Sequence, residues 1–145
     1  MNIIKFEERL NEIMDDIQYQ IFFGTRSIYF TKKRDIFKNE IILEPFKFKV
    51  GDWCHNDTNF TIWVLKKKEI DDKMRTDKGI MTKDYQEMID DCHRIMKKMN
   101  DSGFLLIKKK LEDIEIDIYD ADGAESINTQ IMAKLTFPVR IYNNY

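Results

Sequence analysis

The sequence contains few of the small and reactive residues on which common catalytic motifs depend. It has five glycines and two prolines among 145 residues. Phosphate-binding loops and nucleophile elbows need closely spaced glycines, so this scarcity argues against both kinds of site. The two cysteines, Cys54 and Cys92, do not make a disulfide framework, and a reducing compartment is the simpler interpretation. His55 and His93 are the only histidines, which leaves little material for histidine-dependent nucleophilic catalysis.

Long apolar runs and a large net charge are also missing. No apolar run approaches the ~20 residues that span a bilayer, and residues 1–9 become acidic too early for a signal peptide. The formal net charge of −2 excludes a globally basic nucleic-acid binder. A length of 145 residues with 43% hydrophobic and 34% charged side chains fits one globular domain. We therefore expect one soluble domain over residues 1–145 that does not associate with a membrane.

Two segments have the periodicity of amphipathic helices. In the first, apolar residues recur at three- and four-residue steps from Ile3 to Ile21, the opposite face is acidic, and Gly24 is suited to the stop. In the second, an unbroken apolar face runs from Tyr85 to Met99. Thr82 is the better cap for its start, and Gly103 suits the left-handed position after its end.

Other patterned segments favour β-strands. In the first half these are residues 27–32, 40–50 and 59–66, with 51–57 as a loop, and Pro45 must interrupt the second strand or place it at an edge. The last third has a short apolar run, two alternating segments and a turn. The apolar run is Phe104–Ile107, the turn is Asp120–Glu125, and the alternating segments are Ile114–Ile118 and Ile131–Tyr142. The last of these segments is the clearest strand in the chain, and its Pro138 should face an edge or a bulge.

Residues 66–82 are dense in charge of both signs and poor in apolar side chains, which predicts an exposed, mobile arm. The order of elements is then helix, three strands, arm, helix and two or three strands. The predicted fold class is α+β, with both helices packed on one face of a mainly antiparallel sheet, because this arrangement buries both apolar stripes.

Several patterns resemble metal sites but have the wrong spacing. The pairs Cys54-His55 and Cys92-His93 lack zinc-finger spacing, and Cys92 belongs to the apolar stripe of the second helix. The turn at 120–123 resembles a calcium loop, but Ile118 and Thr129 would occupy ligand positions that require oxygen. No metal, cofactor or catalytic residue is therefore expected.

The row Asp113, Glu115 and Asp117 admits two interpretations. A metal-dependent hydrolase could use such a row of carboxylates. A solvated strand face opposite Ile114–Ile118 explains the same alternation, and we favour it because catalytic carboxylates are usually buried enough to have perturbed pKa values. The chain is thus not expected to be an enzyme.

Basic side chains are the best candidates for an interface with nucleic acid or an acidic partner, although acids dilute those of the arm. The candidate residues are Lys66, Lys67, Lys68, Lys73, Arg75, Lys134 and Arg140. Charge is also unevenly spread. The first helix has five acids and two bases, residues 26–49 have seven bases and three acids, and residues 108–125 have three bases and seven acids. Opposite patches on one subunit favour head-to-tail contacts in a ring.

The element order resembles that of small tail-terminator, tail-completion and head–tail joining proteins of tailed phages. The matching elements are the helix from Ile3 to Ile21, the strands ending at Leu65, the 66–82 arm, the helix Tyr85–Met99 and the strand Ile131–Tyr142. The abundance of Ile, Lys, Asp and Asn is also similar to that of AT-rich crAss-like gut phages.

The resemblance implies a structural ring subunit of the virion, assembled in the host cytoplasm, around the DNA channel between portal and tail tube. Its partners would be copies of itself and neighbouring ring, portal or tail proteins, with DNA close by in the channel. Sheet edges and the arm would make the contacts, since edge strands invite pairing with another chain. Two alternatives stay open: a small intracellular binding or inhibitor protein, and the metal-dependent hydrolase.

Overall fold

The computed structural model describes residues 2–29, 39–49, 55–67, 82–120 and 130–142. Its helices are α1 (Ile3–Asp15), α2 (Arg26–Ile28) and α3 (Thr82–Asp101), with a 3-10 helix at Leu111–Asp113. Its strands are β1 (Gln20–Phe23), β2 (Glu40–Leu43), β3 (His55–Lys67), β4 (Leu105–Ile107), β5 (Asp117–Asp120) and β6 (Gln130–Tyr142). None of the described helices is both long and apolar enough to cross a membrane.

The strands form one mixed sheet of six strands in the order β1-β2-β3-β6-β4, with β5 also paired to β6. Only the β1–β2 pair is parallel among the described pairs. The two longest strands, β3 and β6, pair along 13 residues each, from His55 opposite Tyr142 to Lys67 opposite Gln130. Because β3 lies along one side of β6, β4 and β5 share its other side. The predicted α+β class with a mainly antiparallel sheet is confirmed.

Helices α1 and α3 cover one face of the sheet, as predicted. Phe6, Leu10 and Met14 of α1 are fully buried and belong to the same apolar core as Met88 and Ile95 of α3. The six alternating apolar residues of β6 complete this core and are all 1% exposed or less. They are Ile131, Ala133, Leu135, Phe137, Val139 and Ile141.

The opposite face, called the outer face below, carries a smaller apolar cluster. Its buried members are Tyr29, Ile42, Trp63, Leu65 and Met132. Tyr29 directly follows the three-residue α2, so this short segment covers part of the outer face in place of a full helix.

Helix α1 ends earlier than its apolar spacing predicts. Gln18 has a positive φ of 63°, and the Tyr19 amide returns to the Met14 carbonyl at 3.0 Å, which closes the helix. Ile21 therefore lies in β1, opposite Ile41 of β2, and Gly24 follows that strand instead of stopping the helix. The prediction of one helix to Ile21 is wrong, because the four-residue spacing between Ile17 and Ile21 also fits a turn followed by a strand.

Helix α3 confirms the second predicted helix, and Gly103 has the predicted left-handed backbone with φ 81°. Thr82 is the first residue of α3 and not its cap. The strand predicted at 27–32 is wrong over its described part, because Thr25 accepts a hydrogen bond from the Ile28 amide and starts α2 there.

Pro45 interrupts the second predicted strand. The β2 ladder stops at Leu43, and residues 44–49 continue without strand assignment. Strand β3 begins at His55, so the predicted 51–57 loop is wrong for residues 55–57. These residues pair with the end of β6, which supplies a partner that a local pattern cannot reveal.

The last third follows the predicted order with one shorter strand. The β4 and β6 strands match the predicted segments, but the alternation at Ile114–Ile118 gives only β5, after the 3-10 helix. The Pro138 carbonyl accepts from the Lys108 amide at 2.8 Å. In a β-strand, the amide and the carbonyl of one residue point to the same side. The Pro138 nitrogen, which carries no N–H, therefore faces the end of β4. This agrees with the prediction that Pro138 faces an edge.

Candidate functional site

The residues predicted as an interface do not form one patch. Lys66 lies on the side of the sheet that the helices cover, because it pairs with the core residue Ile131 of β6. Lys134 and Arg140 lie on the outer face, because their positions in β6 alternate with the core residues of that strand. Lys67 belongs to β3, but its side chain is outside the described part, as are most of the predicted arm and Lys68, Lys73 and Arg75. The 120–125 turn is outside it beyond Asp120, and so is Cys54.

Lys66 belongs to a buried ionic cluster centred on Asp91 of α3. The Asp91 carboxylate is 3% exposed and accepts from Lys66 Nζ at 2.7 Å and from the Tyr19 hydroxyl at 2.7 Å. Arg94, one turn further along α3, also pairs with it. The cluster therefore joins β3, α3 and the residue before β1, and Lys66 is already occupied within the chain.

The chemistry of this cluster indicates a structural role. Burial disfavours the charged carboxylate, but the hydrogen bonds from Lys66, Tyr19 and Arg94 outweigh burial and lower the pKa of Asp91 below its ordinary value. Burial, reinforced by the Asp91 charge, raises the pKa of Tyr19 above its ordinary value. The carboxylate thus stays ionised and the phenol protonated near neutral pH, and neither is poised for proton transfer.

The neighbouring Cys92 is fully buried in the apolar face of α3, as its position in the stripe predicts. Burial raises the pKa of its thiol to about 12. A thiol that stays protonated in an apolar environment is a poor nucleophile and a poor metal ligand.

The outer face carries a patch of cations stacked on an aromatic ring. The Arg26 guanidinium lies 4.3 Å from the Trp63 ring centroid, and the Lys134 ammonium lies 5.2 Å from it. The Tyr119 ring packs 6.0 Å away from Trp63, and the Trp63 indole donates to Glu44 at 3.3 Å. Lys134 is thus held over a ring, where cation–π attraction fixes its position.

Arg140 is held by a carboxylate on the same face. Its guanidinium makes a two-point contact with Asp57, at 2.8 and 3.0 Å. Lys108 joins the same carboxylate at 3.3 Å. The hydrogen bond from Arg140, with help from Lys108, holds the pKa of Asp57 well below its ordinary value. Arg140 therefore presents little unpaired charge to a partner.

The row of carboxylates does not form one strand face. Asp113 ends the 3-10 helix and Asp117 begins β5, while Glu115 lies between these elements; all three are exposed. Within the described ranges, no group of three or more His, Cys, Asp or Glu side chains could hold a metal ion.

Asparagines from the overlying helices occupy two borders of the sheet. The Gln20 amide turns toward β2, so the next amide, that of Ile21, points away from the sheet, and Asn11 of α1 accepts from it at 3.0 Å. At the opposite border, Asn100 of α3 accepts from the outward Ile107 amide at 2.7 Å. Each asparagine accepts a hydrogen bond from an edge amide that could otherwise pair with a further strand. This lowers the tendency of β1 and β4 to pair with another chain.

A surface groove runs beside the β1 border. Its volume is about 600 Å³, and it is rich in carboxylates from the outer side of α1. The groove is lined by Glu7, Glu8, Asn11, Glu12, Asp15, Tyr19, Gln20 and Ile21. We call it the acidic groove; all four of its carboxylates belong to exposed residues.

The segment after β2 carries an exposed aromatic side chain between two lysines, Lys47, Phe48 and Lys49, which we call the basic tip. Phe48 is 51% exposed. The buried Asn56 holds the backbone on both sides of it, accepting from the Lys49 amide and donating to the Lys47 carbonyl, each at 3.1 Å. The sequence pattern predicts a strand for these residues, and its only indication of a surface role is the Lys-Phe-Lys alternation.

Comparison of the sequence with models of protein families and with curated proteins gives no match.

Proposed function

We propose that the protein is a structural ring subunit of a phage virion, placed in the head–tail connector or tail, where copies assemble around the DNA channel. In this role it binds further copies of itself and neighbouring portal, ring or tail proteins, and it performs no catalysis. The resemblance in element order to tail-terminator, tail-completion and head–tail joining proteins supports the proposal.

The observation that carries the proposal is the separation of unlike charges onto different surfaces of one small molecule. The acidic groove lies along the exposed side of α1 and beside the start of β1, and the basic tip follows β2. A subunit whose complementary patches lie on different surfaces makes heterologous contacts, and these close into a ring when the rotation between neighbours permits. Charge complementarity also fixes the orientation of such contacts.

The buried ionic cluster supports a binding role over a catalytic one. Its central carboxylate, Asp91, has protein partners for both oxygens and a lowered pKa, and the pKa of Tyr19 is raised. Catalytic acids and bases usually have pKa values shifted toward neutral pH, and here both shifts run away from it.

A second candidate is a small binding or inhibitor protein that acts as a monomer or dimer. Asn11 and Asn100 favour it, because they occupy outward amides at two borders that a ring based on edge pairing would use. The two candidates differ in whether the free chain assembles, and in which surface would be used.

Two measurements test the proposal. Native mass spectrometry and light scattering of the full chain should give one closed oligomer, and negative-stain images should show a ring with a central opening. A mass that stays at one or two chains over a wide concentration range would favour the second candidate. Sequencing around the gene adds an independent test, since a ring subunit should lie beside portal, capsid or tail genes.

A further inference from the structure

We propose that the basic tip of one copy docks into the acidic groove of the next copy, so that Phe48 and its flanking lysines form the subunit junction. The inference rests on the proposed ring function and assigns the two surfaces that carry it.

The basic tip has the properties of a preorganised anchor. Asn56 ties the backbone on each side of Phe48, and the Phe48 ring packs against Phe46 at a centroid distance of 4.8 Å. Phe46 in turn contacts the buried rings of Phe6 and Phe60. Half of the Phe48 surface is nevertheless exposed. Because the backbone is already fixed, burying this ring against a partner loses little conformational entropy, and buried aromatic anchors dominate many interfaces.

The acidic groove complements the tip in charge and in size. Four carboxylates line it, against two lysines that flank Phe48. Its volume of about 600 Å³ lies within the range of about 300–1,000 Å³ that is typical of pockets for small ligands. The groove can therefore admit one aromatic side chain, with both ammonium groups close to the acidic rim.

The two surfaces are built from different elements of the chain. The groove includes Gln20 and Ile21 at the start of β1, opposite Glu40 and Ile41 of β2. Phe48 follows the end of β2, and its ring packs on Phe46, which contacts Phe6 of α1. Contact between the tip of one copy and the groove of the next is heterologous, and such a head-to-tail contact repeats around a ring.

The test compares variants that remove each half of the junction with matched controls elsewhere. Phe48→Ser and the pair Lys47→Glu with Lys49→Glu remove the tip, while Glu8→Lys with Glu12→Lys removes the groove. Tyr85→Ser, which removes another exposed aromatic ring, is the control for Phe48→Ser. Glu112→Lys with Asp113→Lys, which changes two exposed carboxylates elsewhere, is the control for the charge substitutions. We expect each junction variant to weaken subunit association by about 30-fold or more, the effect of losing an interface hot spot. The controls should assemble as the wild type does, and circular dichroism should show all variants folded.

Mixing the variants gives the sharpest measurement. A chain with the tip substitutions keeps its groove, and a chain with the groove substitutions keeps its tip. Each should be monomeric alone, and the mixture should give a one-to-one dimer with a single intact junction.

The outcomes separate this inference from the proposed function. A wild-type ring with tip or groove variants that assemble equally well overturns the docking inference and leaves the ring proposal standing. Variants that are monomeric but do not pair when mixed also overturn the docking inference. A wild-type chain that is monomeric at all concentrations overturns both proposals.

Discussion

Tyr19 donates a hydrogen bond of 2.7 Å to Asp91 across 72 residues of sequence. Tyr19 lies between α1 and β1, and Asp91 lies on the face of α3 that is turned to the sheet, where Lys66 of β3 meets the same carboxylate. One buried carboxylate thus links the N-terminal helix-to-strand connection, the central strand and the long helix.

This link predicts graded losses of stability. Tyr19→Phe removes one hydrogen bond to a charged group and should lower the free energy of unfolding by about 1.5–3 kcal/mol. Asp91→Ala leaves Lys66 without its buried counter-ion and should lower it by about 3 kcal/mol or more. Urea denaturation measures both values. Glu87→Ala is the control, because its carboxylate is 3.9 Å from Lys66 and more exposed, and it should change stability by less than about 1 kcal/mol. An Asp91→Ala protein as stable as the Glu87→Ala protein would show that the cluster is dispensable.

The direction of the Asp91 shift predicts how stability depends on pH. The folded pKa lies below the unfolded value of about 3.9, so the folded state favours the charged form. Its stabilising contribution is complete above the unfolded pKa and is lost as pH falls through the folded pKa. The difference in the free energy of unfolding between wild type and Asp91→Asn should therefore be constant from pH 5 to 7. It should shrink at lower pH, as the Asp91 carboxylate becomes protonated. Asp57 has a shift of the same sign, but it is present in both proteins and cancels. A difference that grows on acidification would contradict the assignment.

The burial of Cys92 predicts that its thiol is protected in the folded protein. In a Cys54→Ser variant, an alkylating reagent at pH 8 should modify Cys92 at least about 100-fold more slowly in buffer than in urea, because a buried thiol with a pKa of about 12 reacts only after opening. Mass spectrometry of timed samples measures the rate. Equal rates in the two conditions would mean that α3 does not cover this residue.

The two border asparagines predict local effects at single amides. Asn11→Ala should lower hydrogen-exchange protection at the Ile21 amide, and Asn100→Ala should do so at the Ile107 amide, because each loses its acceptor. Each change should lower stability by about 1 kcal/mol and increase aggregation by opening a border amide. NMR exchange measurements test the site, with the exposed Asn59→Ala as control. Protection at Ile21 and Ile107 that is unchanged in the variants would refute the capping role.

Elements with long, regular periodicity were predictable from sequence. Helix α3 and strand β6 were correctly placed because their apolar residues repeat over many turns or pleats, and the α+β class followed from these two patterns and the N-terminal helix. The structure of the segment from Ile17 to Ile21 was not predictable. Its four-residue apolar spacing suits a helix, whereas Gln18 adopts a positive φ that ends the helix. Helix propensity gives no signal for such a turn when glycine is absent.

The candidate surfaces were less predictable, because they depend on partners distant in sequence. Lys66, Lys134 and Arg140 looked like interface residues, yet each has a partner within the chain: Asp91, the Trp63 ring and Asp57. The side chains of Asn11, Asn56 and Asn100 act as backbone substitutes, a role that no local pattern distinguishes from a solvated asparagine. The acidity of α1 was visible in sequence, whereas its position beside a border strand required the fold.

The mass of the native full-length particle tests the central claim most directly. Light scattering combined with native mass spectrometry, from low to high micromolar concentration, should find one closed oligomer whose size does not grow further with concentration, as a ring of heterologous contacts requires. A particle that keeps the mass of one chain throughout, with no larger species at the highest concentration, would contradict the account.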